Sequence, residues 1–241
     1  MWARGAPALD RAPGVRRVPG DLARQVIRAG STGGAYTGAV VENRHPEIAA
    51  AHTRTTLEVL GELSPGADAR VRARLHPEAR EALDGATRSD FLPARVDLEV
   101  AITIHAELGV EAARRVARET LRRGLTGALL GGLVRSAATL FGLTPPALLR
   151  WAGRGYGRVC RDCGELAVTD SAEGLVRLSL TGLPVELEAP SYLESMAGAL
   201  EGFLDVCQVD GRAEVEPRPG GAAFQLRWRK AAGAVPEGPI A

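Results

Sequence analysis

The spacing of apolar residues changes character about two thirds of the way along the chain. Before residue 164 apolar positions recur at three- and four-residue steps, and beyond it they alternate, with one helical interruption. The first part predicts a run of helices. DLARQVIRA at 21–29 is a short one, closed by the glycines from Gly30, and a short strand follows from Ala35. Pro46 suits a first helical position, so EIAAAHTRTTLEVLGEL is expected to continue as helix. His76 opens another that stops at Gly85. Ser89 or Asp90 can cap a helix with Leu98, Ala101, Ile102, His105 and Leu108 on one face, ended by Gly109. In the next helix Glu111, Arg115, Glu119 and Arg123 stand four apart, the pattern of a solvated face laced by ion pairs. GALLGGLVRSAATLFG carries one charge, Arg135, and is expected to be a central helix buried on most sides. Thr144, Pro145 and Pro146 restart the chain into a helix from Ala147 to about Asp162, with Gly164 as its stop.

The last third reads ELAVTD, GLVRLSLTG, a helix from Ser191, then RAEVEP and AAFQLRWR joined by RPGG, a hairpin signal. Strand-strand-helix-strand-strand after a helical block gives an α+β class, with N-terminal helices packed on a C-terminal antiparallel sheet. The expected organisation is a flexible leader over 1–20, one α+β domain over 21–230 and a flexible tail over 231–241.

Charge adds mainly exclusions. Basic and acidic residues nearly cancel, 30 against 29, so a nucleic-acid partner is not expected. No apolar run reaches a membrane span, no secretion signal is evident, and the cysteines number three. A soluble, cytoplasmic protein without a membrane partner is the expectation.

Cys160 and Cys163 form a Cys-x-x-Cys pair and Cys207 stands apart. Each extends an apolar stripe: Leu148, Trp151, Ala152, Gly155, Tyr156 and Val159 lead into the pair, and Leu193, Met196, Ala197, Leu200, Phe203 and Leu204 lead into Cys207. Packing explains all three. The alternatives are zinc held by the three thiols and a fourth ligand, and a redox pair, which should open a helix rather than close one. His105 is expected to be a hydrogen-bonded core histidine, with haem ligation as its alternative. His45 and His52 share no carboxylate or third ligand at metal spacing, and His76 is a turn residue. No nucleophile elbow, zinc-protease helix, phosphate loop or dinucleotide fingerprint is present, and Asp97 and Glu99 point to different faces.

From about Leu75 to Arg229 the chain resembles a family of α+β domains known mainly from myxobacteria, itself distantly similar to 4-vinyl-reductase-type and haem-nitric-oxide-binding-like sensor domains. The stretches that carry the likeness are LHPEAREAL with FLPARVDLEVAI, ATLFGLTPPALLRWAGRGYGRV, GALEGFLDVCQV and AAFQLRW. Phe91-Leu92-Pro93 replaces the usual Trp-Tyr-Pro element. The last hairpin lacks the cysteine pair of the vinyl-reductase type, and no Tyr-x-Ser-x-Arg haem signature occurs at Tyr36, Tyr156 or Tyr192. Neither haem nor zinc carries over, so no cofactor is expected. The resemblance implies a non-enzymatic sensory or regulatory domain with a hydrophobic pocket between helices and sheet. A small hydrophobic ligand would meet Trp151, Tyr156, His105, Leu200 and Phe203 there. A homodimeric adaptor without ligand is the second reading, and a reductase-like enzyme with an unseen cofactor the third.

Overall fold

Alternation in the last third produces a four-stranded antiparallel sheet. Its strands are β4 (Glu165–Ala172), β5 (Leu175–Thr181), β6 (Asp210–Arg218) and β7 (Gly221–Arg229), in the order β4-β5-β7-β6. The register sets Val176 opposite Leu226, Leu178 opposite Phe224 and Leu180 opposite Ala222. All six are buried on one face. The helix α9 (Pro190–Val206) lies across that face through Leu193, Ala197, Leu200 and Leu204. The computed structural model describes residues 45–127, 131–141 and 143–229. The expected leader, tail, 21–29 helix and strand from Ala35 lie outside these residues.

The helical block before the sheet runs α1 (Ala50–Leu63), α2 (Ala67–Arg74), α3 (Pro77–Gly85), α4 (Ala94–Leu108), α5 (Val110–Thr126), α6 (Gly131–Phe141), α7 (Pro145–Leu149) and α8 (Ala152–Val159). Short strands β1 (Glu47–Ala49), β2 (Phe91–Pro93) and β3 (Cys160–Arg161) form a second sheet, β2-β1-β3. Buried apolar residues fall into two clusters. One joins the large sheet to α7, α8 and α9, and the other joins α1 to α5.

Three expectations about elements need correcting. Residues 47–49 are strand rather than the start of a helix, because Ile48 pairs with both Leu92 and Cys160. The helix drawn from Ala147 to Asp162 is two helices, broken at Arg150 and Trp151, and it ends before Cys160. Three glycines within α8 weaken helix propensity there, and Gly153 lies so close to the Leu166 carbonyl that no Cβ would fit. The apolar run at 127–142 does not supply the central helix: in α6 Arg135, Ser136, Thr139 and Leu140 are exposed, Leu140 by 65%.

The central helices are α5 and α9. A Cβ on Gly198 would stand 2.5 Å from the Arg114 carbonyl oxygen, and one on Gly202 would stand 2.7 Å from that of Arg118. The two backbones are therefore in contact. Gly198→Ala would gain about 1 kcal/mol of helix propensity but must push the helices apart, at about 1–3 kcal/mol. Net destabilisation is the expected result in urea unfolding, and a stabilised variant would show that the contact is loose.

Candidate functional site

Where the two apolar clusters meet, the core is not filled. A cavity of about 120 Å³ lies between them, a size near that of an engineered cavity of about 150 Å³ that binds benzene. Its walls are helical on one side and reach the sheet at Leu166 on the other. The sequence leaves it open because seven wall positions are small: Ala101, Ala113, Ala117, Ala152, Gly155, Ser195 and Ala199.

Each wall is a regular stripe. On α4 it is Asp97, Val100, Ala101 and Ile104, and on α9 it is Tyr192, Ser195, Met196, Ala199, Leu200 and Phe203. The α4 stripe is rotated by about one residue from the face expected from the sequence. Ile102 is 44% exposed, while Asp97 and Thr103 are buried. The physical reason is hydrogen bonding, across the fold for Asp97 and within the helix for Thr103. The Thr53 hydroxyl donates to Asp97 Oδ1 at 2.8 Å, and the Thr103 hydroxyl donates to the Glu99 carbonyl at 2.7 Å. Residues that look polar in sequence can thus face the interior.

Polar groups on the wall are few: His52, Thr56, Asp97, Tyr156, Cys160, Tyr192 and Ser195. The Tyr156 hydroxyl donates to the Cys163 carbonyl at 2.8 Å. Burial, followed by neighbouring charges that include Asp97, pushes the Tyr192 phenol well above its usual range. The hydrogen bond with Cys163, together with burial, does the same for the Cys160 thiol. Both groups are neutral at ordinary pH.

Of the ligand-binding residues expected from sequence, Tyr156, Leu200 and Phe203 are on the wall, whereas Trp151 and His105 are not. Trp151 sits in the break between α7 and α8, with the Arg154 guanidinium 4.6 Å from its ring centre. His105 lies in the last turn of α4, and its Nε2 is buried without a hydrogen-bond partner among the described residues, contrary to the hydrogen-bonded role expected for it. The imidazole on the wall belongs to His52, which the sequence offered only as an unsupported pair with His45. Asp97, which the sequence offers only beside Glu99 on a different helix face, is on the wall as well.

Cys160 and Cys163 do not close a helix. Cys160 is in β3 opposite Ile48, and Cys163 is in the turn that follows, 1% exposed, its thiol 3.1 Å from the Arg161 carbonyl. Asp162 and Gly164, both at positive φ, shape that turn. Cys207 caps the far end of α9, where burial raises its thiol to about 11. Among the described residues no three His, Cys, Asp or Glu side chains are grouped to hold a metal ion.

No known family model matches the chain, and no curated protein resembles it in sequence. Its fold does have solved counterparts. An Fe(II) unliganded H-NOX protein from K. algicida superposes with a TM-score of 0.56 at 8% identity, over 77% of this chain and 99% of that one. A Cs H-NOX variant carrying 4-cyano-L-phenylalanine gives 0.53 at 11% identity, over 76% and 97%. A structure from work on haem distortion in the H-NOX family gives 0.51 at 13%, over 76% and 95%. The α+β order read from the sequence is therefore that of the H-NOX fold, and identities this low show the fold alone. The likeness to the myxobacterial family and to 4-vinyl-reductase domains rests on sequence patterns only.

The expectation of no cofactor is corrected by these neighbours. One of them comes from work on haem distortion in the H-NOX family and another is an Fe(II) protein, so a cofactor is at home in neighbours of this fold. Among the described residues the cavity offers one imidazole, His52, and no arginine or lysine to meet a haem propionate. Its volume is below that of a cavity holding benzene, a fraction of a porphyrin. The buried, unpartnered nitrogen of His105 does not open onto it. The wall as it stands does not fit haem.

Proposed function

We propose that this domain is a sensory or regulatory module that holds one compact, largely apolar ligand in the cavity and does not transform it. The observation that carries this is the cavity itself, walled by small and apolar side chains at the seam of two cores. A space of about 120 Å³ between side chains is of the size that takes a compact apolar occupant. The wall joins elements of both clusters, α1, α4 and α5 with α8, α9 and β4, so filling it would bias how they pack. Use of such a fold for sensing is supported by its H-NOX neighbours. Among the described residues no helix is long and apolar enough to cross a membrane.

Isothermal titration of the full chain with toluene tests the reading. Saturable binding with a Kd of about 1 mM or tighter is expected, together with a raised unfolding temperature. Absence of saturable uptake would sink it, and a native mass of two chains would then favour a homodimeric adaptor. Haemin belongs in the same series. A Soret band that is lost in His52→Ala would replace the compact ligand with haem.

A further inference from the structure

Asp97 is 8% exposed and is the one carboxylate among the described residues of the wall. Among the described residues it accepts one hydrogen bond, from the uncharged Thr53 hydroxyl, and pairs with no cation. A buried carboxylate is ordinarily matched by a cation or several donors, since its desolvation is otherwise uncompensated. Elsewhere this chain follows that rule. The buried Glu201 meets Arg114 and a backbone amide, and even the half-buried Asp205 meets Arg118. The exception faces the cavity.

We infer that the ligand carries a protonated amine on a compact apolar body, with the amine held by Asp97. The inference rests on the cavity being a ligand site. The surrounding chemistry agrees with it: Tyr156, Tyr192 and Phe203 present aromatic rings on the same wall, which suit a cation. Among the described residues no guanidinium or ammonium lines the cavity, which favours a cationic ligand over an anionic one. His52 and Ser195 remain for further hydrogen bonds to the head. Benzylamine carries the ring that a cavity of about 150 Å³ accepts and is taken as the upper limit of size for a space of about 120 Å³.

Benzylamine, benzyl alcohol and toluene share one ring and differ in the head, so titration of the full chain with each at pH 7 separates the contributions. Benzylamine is expected to bind roughly tenfold or more tightly than the other two, the usual size of a charge-assisted hydrogen bond. Burying an ammonium without a partner would reverse that order. In Asp97→Asn the benzylamine advantage should vanish while toluene affinity stays within about threefold. If toluene binds the wild type and benzylamine binds no better, the amine head is wrong and the cavity stands. If none of the three binds, the underlying reading falls. The wild-type ranking decides even where the variant does not fold.

Discussion

Replacing Arg114 with alanine is expected to cost about 3–5 kcal/mol of folding stability, read as a shift in the urea midpoint at unchanged slope. The side chain is 7% exposed and reaches three acceptors: Glu194 Oε2 at 2.6 Å, Glu201 Oε1 at 2.6 Å and the Ala213 carbonyl. It ties α5 to α9 and to β6. Alanine would leave Glu201, 8% exposed, with the Ala213 amide at 3.0 Å and the Arg118 guanidinium at 3.8 Å. Most of the loss is the penalty of that stranded carboxylate rather than the worth of the pair. The double variant Arg114→Met, Glu201→Leu should accordingly lie closer to the wild type than Arg114→Ala does. A cost below about 1 kcal/mol for the single change would mean that the pair is hydrated.

Filling the cavity should separate binding from stability. Ala199→Phe places a ring on the α9 wall, and a ring needs about the volume available. Toluene and benzylamine affinity should fall a hundredfold or more. Burial of the ring contributes roughly 2 kcal/mol against about 1–3 kcal/mol of packing strain, so the urea midpoint should move little. Ile102→Phe, on the exposed face of α4, is the matched control and should leave uptake intact. Binding that persists in Ala199→Phe would locate the ligand elsewhere.

Hydrophobic alternation made the sheet legible. Its strands carry period-two patterns, Gly174 and Gly220 sit at positive φ in the turns, and nothing long-range is needed to place them. Helix stops at Gly85 and Gly109 were equally local. The alanines of the wall are visible in the sequence too, but as helix formers rather than as missing volume. The spacing of Cys160 continues an apolar stripe and so predicts helix, whereas the residue is in β3. Its strand partner Ile48 lies far away in the chain, and no local rule reports such a pairing.

The sequence by itself determined the class of the protein, the strand-strand-helix-strand-strand order and the apolar face of α9, because these depend on period and turn chemistry within a few residues. Tertiary structure decided which helices are central. In composition α5 is highly charged and α6 is apolar, yet α5 is buried against α9, because Arg114 and Glu201 neutralise one another and Gly198 and Gly202 let the backbones touch. It also decided that Asp97 faces inward and that a cavity exists at all. Both follow from which small side chains oppose one another and from the partner a polar group finds across the fold, and only the packed chain fixes those distances.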